Sequence, residues 1–379
     1  MRWEAWVAVV AGVLAVAALV VAAVVGIRQR ELRRRLEASS VASSPRAQSL
    51  GREVRERGQQ LAFVANPTKQ DVPALREAIE RAADEQDLPQ PLWFETSVED
   101  PGVGQAKQAL AQGADVVVAV GGDGTVRAVA SALVGTGVPM GLMPLGTGNL
   151  LARNLDIPLG NALSALEVAL GGRDRTIDVG WLRVVHAAHL TESDGVHART
   201  NDEHLFLVIA GLGFDAAMVA DADDDLKARV GWIAYFVAGI KHLHGRRTRV
   251  HVRIDDSPAT STRLRSLLIG NCGKLPGGLT LLPDAVVDDG WLDVAAIDTR
   301  GGVAGWAQLF GEVVLQGVGV KGMPRGVGRI DHTRAREIRV VVTGGEHAQV
   351  DGEVIGRVTE VAARADPGAL VVRVPRTER

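Results

Sequence analysis

Ala114-Asp115-Val116-Val117-Val118-Ala119-Val120-Gly121-Gly122-Asp123-Gly124-Thr125 is the stretch from which the rest of the chain can be read. An apolar, β-branched run stops at Gly-Gly-Asp-Gly-Thr, and Val126-Arg127-Ala128-Val129-Ala130 continues in a helix-like pattern. Such a run reads as a buried parallel strand. The glycines clear side chains from a place where the backbone must turn tightly or approach another group. A helix starting directly afterwards aims its unpaired N–H groups at the same spot, which suits phosphate. The expectation is a phosphate-handling turn with one carboxylate in it.

Working outward, strand and helix alternate. Leu61 to Ala65 reads as a strand, with Asn66-Pro67-Thr68-Lys69 as the turn after it. Val72 to Glu85 has Leu75, Ala78, Ile79 and Ala82 on one helical face. Leu92 to Thr96 reads as a strand, Gly104 to Gln112 as a helix, Val126 to Leu133 as a helix and Pro139 to Met143 as a strand. A second Gly-rich turn follows: Pro144-Leu145-Gly146-Thr147-Gly148-Asn149. Residues 60–175 therefore read as an α/β nucleotide-binding domain with a parallel sheet. Two Gly-rich turns after consecutive strands open at the same sheet edge, where open α/β folds bind ligands. Neither matches the Walker pattern Gly-x-x-x-x-Gly-Lys-Ser/Thr, and neither is a Gly-x-Gly-x-x-Gly run.

From Thr176 the texture changes to strand-like runs at 177–185, 204–210, 248–254, 265–270, 291–297, 336–343, 348–350 and 369–374. Asp255-Asp256 and Asp289-Gly290 read as hairpin turns, and 216–243 and 301–316 as helices. Residues 176–379 are thus expected to form a mostly antiparallel β domain, whose chain returns to the first domain near its end.

Ala5 to Ile27 is 23 residues without a charge, followed by Arg28, Arg30, Arg33, Arg34 and Arg35. As a helix it spans ~34 Å, enough for a bilayer core of about 30 Å. The positive-inside rule puts its amino terminus outside and the remainder in the cytoplasm. A single-pass membrane anchor is expected, with residues 28–59 as a basic juxtamembrane linker. The net charge of −3 conceals +5 in residues 1–60 and −8 beyond them. Only this arm is basic, so no nucleic-acid partner is expected. Cys272 is the single cysteine, which excludes an intrachain disulfide.

The two turns followed by Thr176-Ile177-Asp178-Val179-Gly180 resemble the diacylglycerol kinase catalytic domain, which is related to sphingosine kinases. Ala210-Gly211-Leu212-Gly213-Phe214-Asp215-Ala216 is similar to its Gly-x-Gly-x-Asp-Ala segment. Asn271, Gly277-Gly278, Pro283, Asp289-Gly290 and Asp293 match its next run, and Val350-Asp351-Gly352-Glu353 its late Asp-Gly-Glu. The chain departs from the pattern after Thr125. The usual x-Asn-Glu is Val126-Arg127-Ala128, Lys69-Gln70 replaces Ser-Gly, and Val208 stands where Asn is common.

The resemblance implies an NAD-kinase/diacylglycerol-kinase-like fold and transfer of the ATP γ-phosphoryl to a lipid hydroxyl in the bilayer, with diacylglycerol as the leading acceptor. It implies Glu353 as general base, oriented by Asp351, with Asp123 organising phosphate and Mg²⁺. Nucleotide contacts are implied for Asn66, Pro67, Thr68, Lys69, Thr96, Gly121, Gly122, Asp123, Gly124, Thr125, Gly146, Thr147, Gly148 and Asn149. Metal ligation is implied for Asp289 with the carbonyls of Val286 and Trp291, and for Asp123, Asp178 and Asp215. Kinases of this kind often dimerise, so a homodimer is one expected state. Two other readings compete: an NAD kinase, which shares Gly-Gly-Asp-Gly, and an inactive lipid-binding module, suggested by the missing Glu at 128.

Overall fold

Val116 to Val120 are all fully buried, a condition met only by a strand covered on both faces. In the computed structural model, which describes residues 54–55, 58–188, 196–213, 247–274, 280–299 and 328–376, this run is β3 (Val116–Gly121). It lies between β1 (Leu61–Ala65) and β4 (Met140–Pro144), both parallel to it, and β1 also pairs in parallel with β2 (Leu92–Glu95). Val116, Val118 and Val120 face α1 (Val72–Glu85) and α5 (Ala162–Gly171), together with Phe63, Leu75, Ile79 and Leu166. Val117 and Ala119 face α2 (Val103–Ala111) and α3 (Asp123–Leu133), together with Ala106, Val129 and Leu133.

The α3 helix begins three residues earlier than the apolar pattern suggests. Gly122 is its extended N-cap, so Asp123 and Gly124 belong to its first turn. A carboxylate there complements the positive end of the helix, and this outweighs the poor helix propensity of Gly124. Beyond β4 lies the short α4 (Leu150–Asn154).

A long antiparallel ribbon joins the two lobes. β5 (Arg173–Ala187) pairs with β14 (Glu353–Val374) along most of its length. At one end β14 lies parallel to β4, at Val372↔Met140; at the other it forms a hairpin with β13 (Glu337–Val350). The sheet runs in the order β12-β11-β10-β7-β13-β14-β4-β3-β1-β2. Its antiparallel part comprises β7 (Ile209–Gly213), β10 (Ser266–Gly270), β11 (Leu292–Thr299) and β12 (Gly328–Ala335). Side branches are β6 (Glu203–Phe206) on β5, and the hairpin of β8 (Thr248–Ile254) with β9 (Thr260–Leu264) on β13. Leu182, Val184, Phe206, Leu212, Ile269, Val294, Val340 and Val361 form the core of this lobe. Gly180 pairs with Phe206, whose ring occupies the space a Cβ at 180 would need.

Arg373 ties the returning strand to the first lobe. It is almost fully buried, and its guanidinium donates to the carbonyls of Leu170 (2.6 Å) and Ala169 (3.2 Å) at the end of α5. Asp174 and Gln59 accept its remaining bonds. A cation on the last carbonyls of a helix satisfies groups the helix leaves open.

Several expectations are corrected. The run 204–210 is two strands, broken at Leu207-Val208. The runs 336–343 and 348–350 are one strand, β13, with irregular register between Val341 and Glu346. β14 starts at Glu353, well ahead of 369, while β9 and β12 carry too many polar residues to read as strands. Asp289-Gly290 is not a hairpin turn: β10 and β11 pair across the connection 271–291. The single-pass localisation does not stand either. Among the described residues no helix is long and apolar enough to cross a membrane. The stretch Ala5 to Ile27 that prompted it, linker residues 28–53, both helices at 216–243 and 301–316, and Asp215 lie outside the described residues.

Candidate active site

Parallel strands place the turns that follow them at one edge. Asn66 N–H donates to the Val120 carbonyl (2.9 Å), Leu145 N–H to Gly121 (2.8 Å) and Thr96 N–H to Ala65 (2.9 Å). The turns after β1, β2, β3 and β4 are thereby stitched side by side. Within the first, the Asn66 carboxamide oxygen accepts from the Thr68 N–H (3.0 Å) and hydroxyl (2.7 Å), an Asx turn that sets the backbone leading to Lys69.

The two Gly-rich turns touch backbone to backbone. A Cβ on Gly146 would lie 2.7 Å from the Gly122 Cα, and one on Gly148 would lie 2.6 Å from Asp123 Oδ2. These glycines therefore serve close approach. Asn149, in the left-handed region at φ 49°, clamps its own turn: Oδ1 accepts from Gly146 N–H (3.0 Å) and Nδ2 donates to the Gly146 carbonyl (2.7 Å). Gly124 opens onto free space.

Asp123 joins the two turns. Its carboxylate accepts the N–H groups of Asn149 (2.9 Å) and Leu150 (2.6 Å), so the acid of the first turn caps the helix after the second. Burial pushes its pKa up, the N–H groups of Leu150 and Asn149 pull it back, and the charge of Asp351 adds to the rise.

Asp351 and Glu353 arrive on the β13–β14 hairpin. Asp351 and Gly352 have positive φ, 46° and 85°, between the paired Val350 and Glu353. That is the backbone of a type I′ turn, for which Asp-Gly is a favoured pair. The Asp351 carboxylate accepts three consecutive N–H groups, from Leu207 (2.8 Å), Val208 (3.0 Å) and Ile209 (2.9 Å). Burial raises its pKa, and these bonds with the charge of Arg127 oppose the rise. Val208 contributes here through its N–H alone, which any residue but proline supplies.

Glu353, in contrast, is exposed, and its carboxylate forms an ion pair with Arg127. Arg127 stands one turn beyond Asp123 on α3, its side chain 17% exposed. This pair brings the hairpin tip over the helix of the first Gly-rich turn. Sequence reasoning noted Arg127 only as a departure from pattern; its spacing of four from Asp123 was the signal that both share one helix face. Ala128 points the other way: it is buried, near Gly102.

Among the described residues, the implied metal ligands Asp178 and Asp289 have partners of their own. Asp178 is 2% exposed, and its two oxygens accept Gly290 N–H (2.6 Å) and Gly368 N–H (2.7 Å). It binds a bulge of β14 to the 284–291 loop, and both oxygens are occupied by backbone donors. Asp289 accepts from Trp291 N–H (3.1 Å) and pairs with Arg334 (3.1 Å). Arg334 also reaches Asp293 (3.5 Å) and the carbonyl of Asp284 (2.5 Å). A guanidinium thus pairs with the carboxylate that the resemblance implies as a metal ligand. Among the described residues, no group of three or more His, Cys, Asp or Glu is arranged to hold a metal. Cys272 is buried, which raises its thiol pKa far above the usual range.

Comparison with known proteins agrees with this fold. Residues 60–182 match the family model of the diacylglycerol kinase catalytic domain, and residues 208–374 that of the YegS C-terminal NAD kinase beta sandwich-like domain. A Pseudomonas aeruginosa protein named "Probable lipid kinase YegS-like" is 33% identical over 276 residues, covering 71% of this chain and 80% of the relative. A Mycobacterium tuberculosis diacylglycerol kinase is 31% identical over 195 residues, covering 51% of this chain and 58% of the relative. The match extends over only 57% of the length of the first curated relatives. A diacylglycerol kinase crystal structure from Bacillus anthracis shares the fold, with a TM-score of 0.61 at 19% identity, covering 83% of this chain and 97% of that one.

Proposed function

Since the chain belongs to the diacylglycerol kinase catalytic-domain family, we propose that it is an ATP-dependent lipid kinase. In this reading it transfers the γ-phosphoryl group to the hydroxyl of a membrane lipid, with diacylglycerol as the first acceptor to test. The observation that carries the reading is the Arg127–Glu353 ion pair. It brings a carboxylate of the β lobe to the helix that begins at the Gly-rich turn, which supports the reading of a base beside a phosphate-binding turn.

The residues suit the nucleotide. The open space at Gly124, the start of the 11-residue α3 and the neighbouring turn with Thr147 offer N–H and hydroxyl groups to phosphate oxygens. Lys69, Asn66 and Thr96 border the same edge. Among the described residues there is no protein-only cage of carboxylates for Mg²⁺. Mg²⁺ characteristically takes one or two carboxylates, phosphate oxygens and water; Asp123 would supply the protein carboxylate through the lone pairs left by the Asn149 and Leu150 N–H groups. Bound Mg²⁺ neutralises charge on the phosphates. Phosphoryl transfer otherwise rests on positioning and charge stabilisation. Glu353 accepts the hydroxyl proton as the lipid oxygen attacks, a role for which an exposed carboxylate at the cleft is suited.

The test is radiolabelled Mg-ATP with purified protein and a lipid panel in mixed micelles: diacylglycerol, monoacylglycerol, ceramide, sphingoid bases and isoprenoid alcohols. Labelled lipid is expected, and phosphatidic acid in particular if diacylglycerol is the acceptor. Labelling of NAD and no lipid would overturn the reading.

A further inference from the structure

Arg127 has a role beyond marking a departure from the family pattern. Its guanidinium sits one helical turn beyond Asp123, largely withdrawn from water; it pairs with Glu353 and feels, or acts on, the charges of two further groups. Asp351 acts on it through charge but already receives three backbone N–H bonds. His204, on β6, has a buried Nε2 with no partner; burial holds its pKa below the usual value, and the Arg127 charge adds to this. Among the described residues, Glu353 is the one carboxylate paired directly with the guanidinium.

A withdrawn cation needs a partner to offset its desolvation. Glu353, for its part, is 65% exposed on a two-residue hairpin. An exposed glutamate samples several rotamers, and fixing it costs entropy. A planar guanidinium, itself held by its surroundings, restricts a carboxylate more sharply than a flexible ammonium does. The contact also crosses between lobes, from α3 of the α/β lobe to the hairpin of the β lobe.

We propose that Arg127 is the positioning residue for Glu353: it holds that carboxylate beside the helix that begins at the phosphate turn and so fixes the placement of the base. The inference rests on the lipid kinase reading. Misplacing a reacting group by about 1 Å costs on the order of 10²-fold. Arg127→Met is therefore expected to lower kcat about 100-fold while leaving KM for ATP within about twofold. Arg127→Lys, which keeps the charge without the fork, should recover only part of that loss.

The deciding measurement is the double variant. If Arg127 acts through Glu353, Arg127→Met adds nothing to Glu353→Gln, and the double variant turns over at the Glu353→Gln rate. Additive losses would overturn the proposal, as would a rise in KM for ATP with kcat unchanged, which would make Arg127 a phosphate ligand. Arg127→Lys guards against a folding artefact, because it retains the buried charge. If the wild-type protein labels no lipid, the kinase reading falls. Thermal unfolding of the two single variants and the double then decides the pairing: non-additive shifts in Tm support it and additive shifts remove it.

Discussion

The two lobes furnish the cleft with different materials. The α/β lobe offers mainly backbone: turns pressed together at Gly122 and Gly146, with one carboxylate, Asp123, used to bind them. The β lobe offers side chains on one hairpin: Asp351, locked by three N–H groups, and Glu353, held only by Arg127. A backbone-built surface is sensitive to bulk, because one added Cβ forces the turns apart. A side-chain-built one is sensitive to chemistry, because a neutral isostere of the same shape no longer accepts a proton.

The largest effect should come from chemistry. Glu353→Gln is expected to cut kcat by roughly 10³-fold, with KM for ATP little changed; near-wild-type turnover in a steady-state assay would break the contrast. Bulk comes next. Gly146→Ala should raise KM for ATP about tenfold with a smaller change in kcat, since its Cβ would sit 2.7 Å from Gly122 Cα. An unchanged KM would mean that the contact between the turns is not needed for nucleotide. Asp178→Ala sharpens the comparison at the junction of the lobes. It leaves the Gly290 and Gly368 N–H groups without their acceptor, a loss of about 3 kcal/mol. Calorimetry should show Tm lowered by roughly 5 °C.

The smallest effect concerns the outer face of the β lobe. Glu360 is mostly buried, which alone would raise its pKa, yet Arg339 and His186 hold it below the ordinary 4.5. A carboxylate with a depressed folded pKa stabilises the fold above its unfolded pKa, and that stability is lost as pH falls through the folded value. Glu360→Gln should therefore lower Tm slightly at pH 7, and the gap from wild type should close as pH drops below about 4.

Legibility followed locality. The first lobe is written in neighbouring residues: α1 runs from Val72 to Glu85 and β3 ends at Gly121, as the apolar periods indicate. The pairing of the Gly-rich turns was also readable, because consecutive strands of a parallel sheet deliver their turns to one edge. Two features were not. That Asp123 caps the helix after Asn149 depends on a contact across 26 residues. The Arg127–Glu353 pair spans more than 200 residues, and no local pattern encodes it. The long β14 was hidden because Gly356, Pro367 and Gly368 read as breaks, although the strand absorbs a register shift between Asp366 and Leu370. The partners of Asp178 and Asp289 were not readable either, because a lone aspartate looks the same whether it awaits a cation or holds backbone N–H groups or a guanidinium.

β14 also fixes an order of events during synthesis. The strand beside β4 is the end of β14, with Val372 against Met140, so it leaves the ribosome about 230 residues after its neighbour. Until then the growing chain carries an open parallel edge at β4, an invitation to pair with the wrong strand. The α5 carbonyls of Ala169 and Leu170 likewise wait for Arg373. The first lobe to be translated is thus among the last to be completed, and truncations a few residues short of Val374 should fail in a lobe whose own sequence they leave intact.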